Sequence, residues 1–297
     1  MRSDRAAVDD GPCHRLDSIN LLRQSRRLIK HGRREILIHA AVRRSTALIA
    51  ALLFWPGGSF ADSFSISEAL DDTKLYFTAP LRWDSQDWLF FGGALVAIGA
   101  SHEFDSRVRT HFATPNDALL NGRDRNSARD ALPAVALILG TGLYASFIDD
   151  SAGYRETWSL LEAGVFSTVT AEALSLAGGR ERPDATSSPN QWGHGGDSFP
   201  SVHTSAAFAI GTVFAESGND DYRWIRRVIG YGVAAGTGYI RVRENVHWLS
   251  DTVAGSALGI ATARFVLNKR GNNPQQESLQ FQPTKDGWQL AYSVRTH

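Results

Sequence analysis

A histidine, an aspartate and an arginine fall at a chemically meaningful spacing near the end of this 297-residue chain: Arg241, His247 and Asp251. A carboxylate four residues after a histidine shares its helical face. It can take the imidazole Nδ1 proton, fixing the tautomer and leaving Nε2 free as a nucleophile. Arg241 brings a planar guanidinium fork suited to phosphate oxygens. Upstream, Pro200-Ser201-Val202-His203 opens an apolar segment. Pro and Ser are helix-start residues, and a helix N-terminus offers backbone amides and a positive dipole end to an anion. Ser201 and the amides of Val202 and His203 are therefore candidate phosphate contacts. His203 is the candidate general acid for a leaving oxygen. Further upstream, Arg180 and Arg182 follow Gly178-Gly179, and Pro183 blocks helix continuation. Arg182 is the expected phosphate ligand; Arg180 is either a second ligand or a solvated or salt-bridged side chain. Taken singly, each block has a plainer reading: a surface ion pair or part of a metal site for His247 and Asp251, a helix cap for Ser201, a solvated helix end for His203. His194, in Gly193-His194-Gly195-Gly196, reads as an exposed loop residue.

Together the three blocks resemble the signature of the type 2 phosphatidic acid phosphatase (PAP2) and vanadium haloperoxidase superfamily: Lys-x6-Arg-Pro, then Pro-Ser-Gly-His, then Ser-Arg-x5-His-x3-Asp. The resemblance implies His247 as nucleophile, Asp251 as its activator and His203 as acid/base. It implies that Arg182, Ser201 and Arg241 hold the phosphate. Three positions depart from the pattern: Ser175 stands for the lysine, Val202 for the glycine and Ile240 for the serine. Ser175 matters most, because it deletes a phosphate-binding cation that Arg180 would have to replace. The implied activity is a metal-independent phosphatase acting on a phosphomonoester or pyrophosphate, expected to be of a lipid, with small phosphate esters as the other substrate class. No cofactor is expected, although vanadate could occupy the pocket as a phosphate mimic. Two alternatives are a vanadate-dependent haloperoxidase and a non-catalytic envelope protein that binds phospholipid headgroups.

The positioning elements are six apolar segments, roughly 88–101, 131–147, 158–176, 203–216, 224–240 and 247–267. They are rich in Ala, Gly, Leu and Val, and polar loops separate them. The expected fold is all-α: a six-helix PAP2-like bundle over 88–267, after an irregular lead-in at 62–87. Residues 268–297 form a tail whose alternation around Asp286-Gly287 predicts a short C-terminal β-hairpin. A membrane span needs about 20 apolar residues. Only the second segment approaches this without a charge; the third carries Glu162 and Glu172, and the sixth Asp251 and Arg264. The mean hydropathy of −0.22 is low for a chain made mostly of spans. The expectation is a soluble or membrane-associated bundle.

Charge divides the chain unevenly. Residues 1–44 hold eleven of the 31 Lys/Arg and five of the 31 Asp/Glu, leaving 20 basic and 26 acidic residues beyond them. That mildly acidic remainder argues against nucleic acid as a partner. Basic pairs at Arg33-Arg34 and Arg43-Arg44 precede an apolar run from Thr46 to Trp55, then Ser59-Phe60-Ala61. This is the three-part pattern of a secretory signal cut after Ala61; an uncleaved anchor or a short buried helix would share it. Residues 1–61 are thus read as an extension that directs export to the periplasm or cell envelope. The single cysteine, Cys13, lies before that cut, so the mature chain would carry neither disulfides nor thiolate metal ligands.

Overall fold

The computed structural model describes residues 66–113, 131–148, 151–218, 220–269, 278–284 and 287–293. The N-terminal extension, with the expected export signal, lies outside the described residues. Eight α-helices are described: α1 (Ile66–Phe77), α2 (Ser85–His102), α3 (Asp105–Phe112), α4 (Leu132–Ile148), α5 (Ser151–Gly178), α6 (Val202–Glu216), α7 (Arg223–Arg243) and α8 (Leu249–Lys269). A two-stranded antiparallel sheet follows, β1 (Ser278–Thr284) with β2 (Gly287–Ser293), in a register that pairs Thr284 with Gly287.

The six expected helices are α2 and α4–α8. Two further helices correct the sequence reading. The lead-in 62–87, expected to be irregular, contains α1, and α3 occupies the start of the loop after residue 104. Helix α1 is fixed by its tyrosine. The Tyr76 ring stacks on Phe166 of α5 (centroids 4.6 Å apart) and meets Phe265 of α8 edge-on, and its hydroxyl is 2.8 Å from Thr262 Oγ1. Helix α2 begins three residues earlier than the apolar pattern suggests, because Asp84 accepts from the Gln86 and Asp87 amides while Asp87 reaches back to the Asp84 amide.

The core is built around α6, which packs against α5, α7 and α8. Its buried residues are mostly small: Thr204, Ser205, Ala207, Ala209, Gly211 and Ala215 among them. A helix enclosed on all sides must be apolar or small all round. The approach to α8 is close enough that a Cβ on Gly255 would lie 2.6 Å from the Ser201 carbonyl oxygen, so only glycine fits there. This contact sets the N-terminus of α6 against the first turns of α8, the two helix ends that carry the second and third sequence blocks.

The outer helices look different. Val96 on α2 is 73% exposed, Phe147 on α4 86% and Val228 on α7 66%, with Leu89, Leu143 and Trp224 also exposed. Among the described residues, one helix, over Ala152–Gly178, is long and apolar enough to cross a membrane, and α4 is apolar but shorter.

Candidate active site

The C-terminal ends of α5 and α7 and the N-terminal ends of α6 and α8 bring all three blocks to one end of the bundle. Helix α7 stops at Asn245, which adopts the left-handed conformation (φ 56°) that asparagine tolerates. The Asn245 amide then donates to the Val242 carbonyl and the Val246 amide to the Arg241 carbonyl. This is a Schellman turn, and it swings the chain so that the His247 amide also reaches the Arg241 carbonyl at 3.3 Å. The nucleophile candidate and its neighbouring arginine are thereby tied through backbone as well as by position. Both are buried, Arg241 at 1% and His247 at 3% exposure.

His247 precedes α8 rather than sitting on it, and this corrects the expected proton contact. Its Nδ1 is 2.8 Å from the Ser198 carbonyl and 3.7 Å from Asp251 Oδ2. The carbonyl, not the carboxylate, accepts the imidazole proton and leaves Nε2 unprotonated. Asp251 is committed elsewhere. Its Oδ2 accepts from the Trp248 amide at 2.8 Å, as an acidic residue in a helix first turn does, and from Ser198 Oγ at 2.5 Å. Asp251 therefore acts on His247 at one remove, by holding Ser198. Burial, followed by the charges of Arg182 and Arg241, keeps the imidazole well below the usual histidine range. The Ser198 carbonyl and Asp197 pull the other way without prevailing.

Arg180 is a second correction. Its guanidinium is fully buried and does not join a phosphate shell. Nη1 donates to Asp251 Oδ1 (2.5 Å) and Ser250 Oγ (2.8 Å), and Nη2 to Asp105 Oδ2 (2.7 Å). Nε and Nη2 also donate to the Pro189 carbonyl, and Trp192 and Trp248 flank the cation at 4.8 and 5.6 Å. Asp105, itself buried, accepts from the Ser250 amide and hydroxyl. A cation between two buried carboxylates is explained by those carboxylates. It does not replace the missing lysine. Ser175, at the lysine position, is buried and its hydroxyl has no partner.

Arg182 is 6% exposed and meets Asp197 through a two-bond fork, Nε to Oδ1 at 2.7 Å and Nη2 to Oδ2 at 3.0 Å. Burial pushes the Asp197 carboxyl up, but the Arg182 charge and hydrogen bonds outweigh it and leave it below the usual range. Ser201 is fully buried at the N-cap of α6. Its hydroxyl makes no cap bond and is 2.9 Å from Thr204 Oγ1. Val202 and His203 are the first residues of α6, where amides point out of the helix end. Ile240 is 41% exposed on the outside of α7, so no side chain there reaches the site. His194 is exposed in its loop.

The structure thus brings Arg182, Arg241, His247 and Asp251 together with the start of α6, where the Ser201 amide donates to the Asp251 carbonyl at 3.0 Å and Val202 and His203 follow, and it moves Arg180 behind Asp251. Sequence reasoning missed Asp197, Ser198 and Asp105. The first two adjoin the second block and were legible as the polar residues leading into it. Asp105 had no local signal, since it meets Arg180 from 75 residues away. Among the described residues, no group of three or more His, Cys, Asp or Glu is arranged to hold a metal ion.

Residues 156–275 match the family model of the PAP2 superfamily. A curated relative, lipid A 1-phosphatase of Porphyromonas gingivalis, is 34% identical over 113 residues, covering 38% of this chain. The match takes in 21% of that relative, so the chain spans about a fifth of its length. Among solved structures, LpxE of Aquifex aeolicus is 22% identical with a TM-score of 0.33, over 50% of this chain and 89% of that one. The transmembrane PAP2-type phosphatidylglycerolphosphate phosphatase of Bacillus subtilis is 16% identical with a TM-score of 0.34, over 76% and 96%. The region 156–275 that matches the PAP2 superfamily model holds all three sequence blocks.

Proposed function

We propose that this chain is a membrane-associated phosphatase that hydrolyses a phosphomonoester or pyrophosphate of a lipid through a phosphohistidine at His247. The observation that carries the reading is His247 itself. It is buried and uncharged, its Nδ1 proton is held by the Ser198 carbonyl, and Arg182 and Arg241 are close enough for their charges to suppress its protonation. In the first step Nε2 attacks phosphorus, the bond to the leaving oxygen breaks, and His203 gives that oxygen a proton. In the second, water attacks the phosphohistidine, His203 takes the water proton, and the phosphorus–nitrogen bond breaks to free inorganic phosphate. Arg182, Arg241 and the amides at the start of α6 stabilise the equatorial oxygens as charge builds on them. The residues used are the chain's own, and no cofactor is invoked.

A lipid substrate fits the molecular surface. The exposed apolar side chains of α2, α4 and α7 have no role in water, whereas a bilayer would cover them. This extends the export expectation to a protein held in the cell envelope with its site at a membrane interface. The likeness to a lipid A 1-phosphatase supports the same substrate class.

The test is phosphate release from phosphatidic acid, phosphatidylglycerol phosphate, undecaprenyl pyrophosphate, lipid A and an aryl phosphate. It would be run with the unmodified protein and with His247→Ala, alongside alkaline quenching to trap the acid-labile phosphohistidine. Release is expected from at least one lipid, with loss in His247→Ala. Release by His247→Ala at the unmodified rate would overturn the mechanism.

A further inference from the structure

A cavity of about 600 Å³ runs along one side of α8 between that helix and α2. It does not include the residues proposed to do chemistry, yet it begins beside them. Phe199 and Pro200 wall one end, together with Ala254. Phe199 follows the residue whose carbonyl holds His247, and Pro200 precedes Ser201. Ala254 lies about one turn of α8 beyond Asp251. The other end is marked by Lys269, so the groove follows α8 for fifteen residues, about 22 Å at 1.5 Å per residue.

Its lining sorts by position. The charged members Arg82, Asp87, Arg264 and Lys269 belong to the end remote from the site, where α2 starts and α8 finishes. Between that end and Phe199 the walls are apolar: Ala257 and Ala261 from α8 face Ala94 and Phe91 from α2. Phe91 and Leu95 leave one side of the groove exposed. These features select the ligand. A peptide would bring an N–H and a C=O with every residue, and those groups would go unpartnered in the apolar stretch. A hydrocarbon chain makes no such demand and gains from burial. The groove runs parallel to the helices from the level of the catalytic histidine, which is the path of a chain hanging from a phosphate held there.

We infer that this groove binds an acyl chain of the lipid whose phosphate is attacked by His247, and so selects long-chain substrates. The inference rests on the phosphatase reading above. It adds a specificity site built partly from α2 and from the segment before it, which precede the matched family region.

The experiment fills the groove without touching the site. Ala257→Phe places a ring on its floor, and Ala94→Phe repeats the change from the opposite wall. The full chain, in mixed micelles, is assayed with dipalmitoyl phosphatidic acid and with dihexanoyl phosphatidic acid. The expected result is a fall in kcat/KM for the dipalmitoyl lipid of about tenfold or more in both variants, the effect of displacing about two methylenes from an apolar site. Turnover of the dihexanoyl lipid is expected within about twofold of the unmodified protein, since a short chain loses little burial. That retention also reports that the variants are folded. Equal turnover of the dipalmitoyl lipid by variants and unmodified protein would overturn the groove assignment, as would equal loss on both lipids in both variants. Failure of the unmodified protein to release phosphate from either lipid, or from the wider panel, would overturn the phosphatase reading and the groove's role as a substrate site with it.

Discussion

Replacing Arg180 by methionine separates a positioning role from a phosphate-binding one. Methionine keeps much of the arginine stem and removes the guanidinium. Asp251 Oδ1 and Asp105 Oδ2 then lose their cation, and the Pro189 carbonyl loses its donor. Both carboxylates are completely buried, so water cannot take the place of the lost bonds. Removing one partner of a buried ion pair costs about 3–5 kcal/mol, because it strands the other charge. A domain of ordinary stability has about 5–15 kcal/mol in total, so roughly a fifth or more would go. Activity should fall for a related reason. An unanchored Asp251 no longer holds Ser198 Oγ, and the Ser198 carbonyl that orients His247 moves with it.

Thermal unfolding of the detergent-solubilised protein gives the stability, and phosphate release from dihexanoyl phosphatidic acid gives kcat and KM. The expected outcome is a lower Tm and a lower kcat, with KM within about twofold, since no phosphate ligand has been removed. Adding Asp105→Asn to Arg180→Met removes one stranded charge and should restore part of the Tm, a coupling of about 1 kcal/mol or more between residues in contact. A single variant with unchanged Tm and kcat but a raised KM would refute the assignment and return Arg180 to the phosphate shell.

Other perturbations test neighbouring parts of the site. The His247 pKa is held down by burial and by Arg182 and Arg241, so the acid limb of kcat/KM should lie below the ordinary histidine value of about 6.5; Arg182→Gln should move that limb toward higher pH. The same depression means that the unfolded chain binds more protons than the folded one between the two pKa values. The His247 contribution to stability is therefore complete above about pH 6.5 and is lost as pH falls below it, while Asp251, pushed up to about 6 by burial, contributes in the opposite sense below that pH; urea titrations should show a decline from about pH 6.5 toward 6 that levels off at lower pH. Asp197→Asn removes the carboxylate that shares the Arg182 fork and should tighten inhibition by inorganic phosphate roughly two- to fivefold, the scale of a partly exposed ion pair; weaker inhibition would show instead that Asp197 is needed to aim Arg182. Gly255→Ala forces a methyl against the Ser201 carbonyl and should cost about 1–3 kcal/mol as overpacking, read as a lower Tm.

The helices, and the placing of the three sequence blocks at helix ends, were largely legible because they are encoded locally. Apolar runs of helical length gave α2 and α4–α8, and the start signals before α6 and the Gly178-Gly179 stop after α5 placed two blocks at helix ends. What escaped depends on long-range contact. Helix α1 is short and polar on its own and is held by Tyr76 reaching α5 and α8. The His247–Asp251 spacing correctly joined two residues but not the bond between them, because Ser198, 49 residues upstream, supplies the acceptor. Arg180 was ambiguous for the same reason: the residues that occupy it come from three separate stretches of chain.

These contacts also bear on how the substrate is held. The signature lysine is absent at Ser175, and the nearest candidate to replace it is spent on Asp251 and Asp105. Of the two remaining arginines, Arg182 already shares its fork with Asp197. On the proposed reading, charge at the phosphate would come mainly from Arg241, a shared Arg182 and the end of α6, a smaller complement than the full signature provides. A site with fewer cations discriminates less by phosphate charge, and affinity must come from another part of the ligand. The apolar groove beside Phe199 offers that part, since each methylene buried there contributes about 0.8 kcal/mol. A lipid anchored by its chain can present its phosphate to His247 without the missing lysine, whereas a small soluble phosphate ester has only the weakened anion shell. The expected substrate order is therefore long-chain lipid over short-chain lipid over aryl phosphate, with the difference expressed in KM more than in kcat because chain binding is shared by ground and transition states.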